Sequence, residues 1–523
     1  MENWDRFRRN FYYSPAARLM LDWGGMGLTE EYLASMAGRT SAAFDAMEAL
    51  ERGEIANPSE ERMVGHYWLR APELAPTPEL RGEIENCRGE IRTLTEEIRT
   101  GALRSEKGEL FRNVIVAGIG GSSLGPVFVS DALSGALHGL KLFFLDNTDP
   151  DGMDAIFSAV EPELDATLTV VISKSGGTVE TRNGMEEARA FYESRGLSFP
   201  RHALCVSGRG SKLDLAAERE GWLRRFPLWD WVGGRTSVMS AVGLLPLSLA
   251  GVDVDEFLRG AAECDRLTRV RSVRDNPAAL MALSWYLCSG GRGGETMVVL
   301  PYKDSLKMFV KYLQQLTMES LGKELDLDGR TVNQGLAVMG NKGSSDQHSY
   351  VQQLVAGPEN IFVTFVEVLR DRKGPSPTVG EDSTSGDYLH AFLLGTKKTL
   401  EAHGKRTLLL SIPQVDAYHV GQLIALFERA VGLYASFIHI NAYDQPAVEL
   451  GKKAACGLIE LKNSVRTALE AEHGQYRTAE ELAAALHTGP EDVFRLLVHL
   501  SQNDPHVRIR EASPIWESTF AAV

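Results

Sequence analysis

Residues 113–126, NVIVAGIGGSSLGP, constrain this chain more than any other stretch. Asn113 to Ala117 is a β-branched run bounded by Gly118, the pattern of a short strand buried on both faces. A turn holding Gly118, Gly120, Gly121, Ser122 and Ser123 follows, and then an apolar segment that can be helical. A strand that passes through such a turn into a helix start is a ready anion site: glycines admit close approach, free N–H groups point outward, and the helix dipole favours negative charge. Taken alone, the turn is better explained by simple strand-to-helix punctuation, which is the commoner use of such a turn.

A second turn of the same kind changes that balance. Residues 168–172 (LTVVI) form another buried strand, followed by Ser173-Lys174-Ser175-Gly176-Gly177-Thr178-Val179-Glu180-Thr181. Four hydroxyls, one lysine and two glycines within nine residues sit where ligands bind in an open parallel sheet, at strand carboxyl ends. Hydroxyls and amides in this arrangement suit a phosphomonoester. The dinucleotide fingerprint G-x-G-x-x-G is not matched, since Ser123 stands where its last glycine belongs.

Around these turns the chain alternates. Strands are predicted at 113–117, 141–145, 168–172 and 202–206, and after a helical region at 254–290 again near 296–300, 336–339, 361–366 and 407–411. The fold class is therefore α/β, with two doubly wound parallel sheets, of which only the first carries phosphate turns. Residues 1–110 read as helical; Ala16, Leu19, Met20 and Trp23 keep helical spacing, and 83–104 sets Ile84, Ile91 and Leu94 against a charged face. The loop 371–386 is rich in Pro, Gly and Ser and reads as a surface excursion. Residues 478–500 read as two short helices divided at Gly489-Pro490, with Thr478 capping the first and a polar strand after the second. That succession can mimic a winged helix, but packing is the better account in so acidic a chain. The predicted segments are 1–110, 111–252, 253–463 and 464–523.

The formal charge of −15 and pI near 5.4 argue against a nucleic-acid or anionic-membrane surface, so anion binding must be local. The longest uncharged run, about 236–252, is too short to span a bilayer, and the N-terminus lacks a signal-like apolar region, which predicts a cytoplasmic protein. The five cysteines are scattered without paired spacing, so neither a zinc site nor a disulfide frame is expected.

Three further segments carry candidate chemistry. On a helix predicted over 305–323, Leu306, Phe309, Val310, Leu313 and Leu316 step round one face that Glu319 continues. Glu319 is then either half of a solvated pair with Lys323 or a carboxylate on an apolar wall, its pKa raised toward the range of a general base. In GSSDQHSY (343–350), Ser345 or Asp346 can cap a helix with His348 in its first turn, where the dipole disfavours imidazolium. In DQPAVELGK (444–452), Pro446 suits a first helical position and sets Gln445 and Lys452 two turns apart on one face.

Together with VGGRTSVMSAVGL (232–244) and MESLGKELD (318–326), these motifs resemble the phosphoglucose isomerase family, in order over about 110–455. Leu321 and Ala447 depart from the commonest family residues at positions without assigned chemistry. The resemblance implies two sugar-isomerase (SIS) sheet domains, the smaller at 111–252 and the larger at 253–463, with helical additions at both ends. It implies aldose–ketose isomerisation of glucose 6-phosphate and fructose 6-phosphate without metal or other cofactor. By motif position, Glu319 moves the proton between C1 and C2, Arg235 stabilises the enediolate, and His348 and Lys452 open the sugar ring. Gly121, Ser122, Ser173, Ser175 and Thr178 hold the phosphate, Lys174 and Glu180 line the same turn, and Gln445 lies near the substrate. The implied assembly is a homodimer in which His348 enters the partner's site. Two other readings share the phosphate turns: an isomerase that also accepts mannose 6-phosphate, and a sugar-phosphate sensor, which has no use for Arg235, Glu319, His348 and Lys452.

Overall fold

The computed structural model describes residues 2–523, apart from the side chains of residues 2, 3, 449, 450, 452 and 453. The chain divides into two compact units, Met1–Asp444 and Gln445–Val523. Both predicted sheets lie in the first.

The first sheet has five parallel strands in the order Lys141–Leu145, Asn113–Ala117, Thr167–Ser173, Ala203–Ser207, Arg224–Pro227. Alternation sorts its side chains. Val114, Val116, Leu168 and Val170 join a core with Phe128 and Leu244, whereas Ile115, Ala117 and Val171 join another with Phe157, Tyr192 and Leu213. Both faces are thus covered, which is why these strands read as continuous apolar runs. The last strand, with exposed Arg224 and Arg225 on the sheet edge, has no such run, and the sequence gives no sign of it.

The second sheet runs Phe11–Ser14, Leu19–Asp22, Arg406–Ile412, Ile361–Val368, Thr296–Pro301, Val338–Met339. Its last four strands are parallel and follow the winding of the first sheet: the first strand in the chain is internal, the second lies to one side and the later ones to the other. The hairpin at 11–22 corrects the helical reading of the N-terminal region. Leu21 pairs antiparallel with Leu410, and Leu19 and Leu21 are buried while Met20 is half-buried. The helical spacing there was satisfied over too few residues to outweigh main-chain pairing with an open sheet edge. The helices Glu30–Glu51 and Pro78–Thr100 are as expected, the latter burying Ile84, Ile91 and Leu94.

The helix predicted over 305–323 is also modified. A regular stretch, Lys307–Leu313, widens into a π-helical segment, Gln314–Glu319, and Lys323 already opens a strand, Lys323–Leu325, paired with Thr331–Gln334. The apolar positions are buried as predicted, but Thr317, Ser320 and Leu321 continue the stripe, and Glu319 stands at its border, part-exposed. The 371–386 loop is mostly exposed and carries the small hairpin Thr378–Gly380/Ser383–Thr384.

In the second unit, helix Pro446–Ala471 precedes strand Arg477–Thr478, helices Ala479–Ala485 and Pro490–Asn503, and strands Val507–Arg510 and Thr519–Ala522. The Thr519–Ala522 strand lies between the other two. Thr478 caps as predicted, in a box with Glu481. Val465, Leu469, Leu482, Val493, Leu497 and Phe520 form its core.

Beneath the first unit's core lies a buried charge network. Arg70 donates to Asp265 at 2.6 and 2.8 Å and to Glu428; Arg429 donates to Glu51 and lies 3.4 Å from Asp265. Burial pushes the Asp265 carboxyl up, but Arg70 and Arg429 outweigh burial and hold it below its ordinary value. Burial pushes Glu428 up to about 7. Removing Asp265 leaves two buried guanidinium groups, Arg70 and Arg429, with one carboxylate each, so Asp265→Ala should cost about 3–5 kcal/mol of unfolding free energy. Asp5→Ala, at a half-exposed side chain, should stay within about 0.5 kcal/mol; urea titration of both variants checks the contrast.

Candidate active site

The turn after Asn113–Ala117 is a single 3-10 turn, Gly120–Ser122, leading into helix Leu124–Leu133. Gly120 has φ +58°, and a Cβ on Gly121 would stand 2.1 Å from the carbonyl oxygen of Gly234. Only glycine permits that approach, so the turn is seated directly on the segment that holds Arg235. Ser237 Oγ also donates to Gly121 O at 3.3 Å.

The second turn ends at Thr178, the N-cap of helix Val179–Ser194. Its side chain does not cap the helix; instead Ser173 Oγ donates to Thr178 Oγ1 at 3.2 Å. Ser175 Oγ accepts from Gly177 N at 3.1 Å. Ser173 and Thr178 are thus joined hydroxyl to hydroxyl, and Ser175 is tied to Gly177, at a helix start. Glu180 lies in that first turn, with Oε2 buried and unpartnered among the described residues. Lys174 does not point freely toward a ligand. Its Nζ donates to the carbonyls of Asp230 (2.8 Å) and Val232 (3.0 Å), and burial, helped by nearby Arg62, pushes its pKa down to about 8. Lys174 therefore ties the second turn to the strand of chain leading to Arg235.

Arg235 is the junction. Its side chain is 5% exposed, and it donates from Nε to Glu319 Oε2 (3.0 Å), from Nη1 to Ala442 O (2.8 Å) and from Nη2 to Asp444 O (3.1 Å). Glu319 keeps 25% exposure and also accepts from Gln315 Nε2 at 3.2 Å. Its neighbours are thus a guanidinium and an amide, so neither of the two readings of the helix pattern, the solvated pair with Lys323 or the apolar wall, describes it. A Cβ on Gly120 would stand 3.2 Å from Gln315 Nε2, so the Gly120–Ser122 turn adjoins the amide that holds the carboxylate.

Lys323 corrects a further expectation. It is 5% exposed at the side chain rather than solvated, and it does not pair with the Glu319 carboxylate. Its Nζ donates to Glu319 O (2.8 Å) and Asp444 O (3.0 Å), with Asp444 Oδ1 at 3.5 Å. Ser59 Oγ donates to Asp444 Oδ2 at 2.6 Å. Sequence reasoning missed Gln315, Lys323, Asp444 and Ser59 as part of this cluster. Gln315 had a signal, four residues before Glu319 on a helix; Ser59, distant in the chain, had none.

His348 ends a 3-10 turn, Ser345–His348, and precedes the short helix Val351–Ala356, so neither Ser345 nor Asp346 caps that helix. Buried Asp346 accepts from Asn341 N (3.1 Å) and from the Tyr350 hydroxyl (2.5 Å), and Gln347 donates to Thr396 Oγ1 at 2.5 Å. His348 itself is exposed and contacts neither Arg235 nor Glu319 among the hydrogen bonds and ion pairs of the described residues. Gln445 belongs to the second unit, at the N-cap of Pro446–Ala471, and the Lys452 side chain lies outside the described residues. No group of three or more His, Cys, Asp or Glu among the described residues is arranged to hold a metal ion.

Burial, reinforced by Arg235, pushes the Lys323 pKa down to about 8. A lysine lowered in the folded state binds fewer protons there than when unfolded between pH 8 and its ordinary value, so its contribution to stability rises with pH across that interval. Lys323→Met should remove that part of the rise, measured as unfolding free energy at pH 7.5 and 10.

The sequence profile described as Phosphoglucose isomerase matches residues 28–384 and 391–473. A glucose-6-phosphate isomerase of Desulfitobacterium hafniense (strain Y51) is 54% identical over 521 residues, covering 99% of this chain and 98% of the relative. One of Geobacter sulfurreducens is 53% identical over 526 residues, covering 100% and 99%. Among solved structures, a glucose-6-phosphate isomerase from Chlamydia trachomatis superimposes with a TM-score of 0.79 at 27% identity, covering 87% of this chain and 91% of that one. With the sheets, the paired turns and the Arg235–Glu319 contact in place, these matches settle the lineage: the chain belongs to the phosphoglucose isomerase family.

Proposed function

We propose that this protein is a glucose-6-phosphate isomerase, interconverting D-glucose 6-phosphate and D-fructose 6-phosphate through ring opening and a cis-enediolate. The observation that carries the reading is the Arg235–Glu319 contact beside the Gly120–Ser122 turn. Aldose–ketose isomerisation needs a base beside a carbon acid and a fixed positive charge where the enediolate oxygen develops. Glu319 is open enough to meet a substrate carbon. Arg235 is held by two carbonyls independently of Glu319, so its charge stays in place when substrate displaces the carboxylate.

In this reading Ser122, Ser173, Ser175 and Thr178, with the Gly121 backbone, receive the phosphate; Lys174 and Glu180 shape the turn, and Gln445 adds a substrate contact. His348 and Lys452 open the ring. A side activity on mannose 6-phosphate is compatible with the same groups, whereas a sensor gives the Arg235–Glu319 contact nothing to do. Glu319→Gln preserves shape and removes the proton acceptor. Turnover, followed by coupling glucose 6-phosphate formation to a dehydrogenase, should fall at least ~10²-fold with substrate binding retained. Near-normal turnover would overturn the assignment.

We further propose a cytoplasmic homodimer in which His348 of each protomer completes the other's site. All five cysteines are free, as a reducing compartment requires. No described helix is long and apolar enough to cross a membrane. The anchoring of Asp346 and Gln347, with His348 left outward, suits donation across a two-fold axis. His348→Ala and Glu319→Gln should each be nearly inactive. Unfolded and refolded together, random pairing gives about half heterodimers with one intact site each, so roughly a quarter of wild-type activity should return. Heterodimers that form and stay inactive would show both residues serving one chain's site.

A further inference from the structure

The two sheets of the first unit wind alike, and the candidate active site uses that winding in a specific way. It lies at the carboxyl edge of the first sheet, built from the turns after Asn113–Ala117 and Thr167–Ser173 and the segment after Arg224–Pro227. It is closed by the end of the helix that follows the second sheet's first parallel strand, at Gln315–Glu319. A crevice of about 690 Å³ repeats this construction with the sheets exchanged. It is lined by the turns after Thr296–Pro301 and Ile361–Val368 and by the segment 414–418 after Arg406–Ile412. The end of the helix after the first sheet's first strand, residues 132–137, closes it. Open α/β sheets bind ligands where the strand order switches, at the carboxyl edge, and this crevice occupies that place in the second sheet.

The turns differ in chemistry from those of the first sheet. Lys303, Ser305, Arg370, Arg372 and Lys373 face the crevice. Lys303 Nζ donates to the carbonyls of Arg370 (3.0 Å) and Asp371, fixing the loop that bears the arginines. The side chains of Arg370, Arg372 and Lys373 make no hydrogen bond or ion pair among the described residues. Four carboxylates share the lining: Glu256 pairs with a cation, Arg259, while Asp416 and Asp253 are oriented by neutral donors and keep their charge. Asp416 accepts from His419 N (2.9 Å) and Gln414 Nε2 (2.5 Å), Asp253 from Glu256 N (3.0 Å), and Glu256 from Arg259 (2.8 Å). Asp371 is the fourth, beside the uncommitted cations.

We propose that this crevice is a second ligand site, for a phosphorylated small molecule of sugar-phosphate size, distinct from the candidate active site. A ligand there touches the far end of helix Leu124–Leu133, which begins at the Gly120–Ser122 phosphate turn, and that helix is tied to the Glu319-bearing one by Asp131–Lys307 at 3.1 Å.

Equilibrium dialysis of the full chain against labelled inorganic pyrophosphate at fixed ionic strength tests this. The wild type should bind two per chain. Arg370→Ala/Arg372→Ala/Lys373→Ala should bind one, with isomerase activity in the absence of pyrophosphate unchanged. Ser175→Ala/Thr178→Ala should keep the crevice site. Arg372→Ala alone, at an exposed position, should weaken that site about fivefold or more. A triple variant that is folded by circular dichroism and binds as the wild type does overturns the proposal. So does a single wild-type site that vanishes in the Ser175/Thr178 variant and survives in the triple variant. The reverse pattern, one site lost only in the triple variant, upholds the crevice and removes the phosphate role of the Ser173–Thr178 turn.

Discussion

The structure of the site depends on one buried guanidinium. Arg235 sits on a short turn beyond the first sheet, yet its three donor directions end on a helix of the second sheet and on the chain at Ala442–Asp444. A planar fork with fixed donor directions does this, whereas an ammonium on a flexible stem would hold one partner at a time. The glycines on either side follow from the same requirement. Gly121 is bare because the Gly234 carbonyl occupies the space of its side chain, and that contact presses the Gly120–Ser122 turn against the arginine's own loop. Two sheets that are far apart in the sequence are thereby locked together where that turn and the Glu319 carboxylate meet.

Charge buried this deeply has to be supported from below. The loop leading to Arg235 is pinned at Trp231, whose carbonyl accepts from Gly65 N at 2.9 Å, and whose ring packs against Trp68 at 5.3 Å between centroids. Five residues beyond Gly65, Arg70 enters the network with Asp265 and Glu428, while the Tyr67 ring lies under Arg429, 4.0 Å from centroid to guanidinium carbon. A buried ion network is a poor source of net stability, since desolvation consumes much of the attraction. Its value here is geometric: each charge has one arrangement in which it is satisfied. The loop over the network, and the arginine it carries, inherit that single arrangement.

The sequence shows clearly whatever is carried by local patterns. Asn113–Ala117 and Lys141–Leu145 fall where their apolar runs place them, and the capping box at Thr478 is legible from two residues. The N-terminal hairpin was hidden because its partner is Arg406–Ile412, nearly four hundred residues away, and pairing with a distant edge leaves no local trace. Lys323 was misread for a related reason. Four residues after a glutamate it resembles any solvated helix pair, and only the π widening at Gln314–Glu319 and the approach of Asp444 turn it inward. The motifs located Arg235 and Glu319; that they touch could be read only from the fold.

The helix ends also give the site a direction. Val179–Ser194 presents its N-terminus, the positive end of its dipole, to the place where the hydroxyl turn would receive a phosphate dianion. The helix that begins at Lys307 presents its opposite end, with its last carbonyls and the Glu319 carboxylate, to Arg235. Lys323 takes one of those carbonyls, Glu319 O, and so completes the helix end with a cation that is itself shielded by Asp444. Arg235 and Lys323 thus set two cations around the Glu319 end of that helix, while the hydroxyl turn stands at the N-terminus of another.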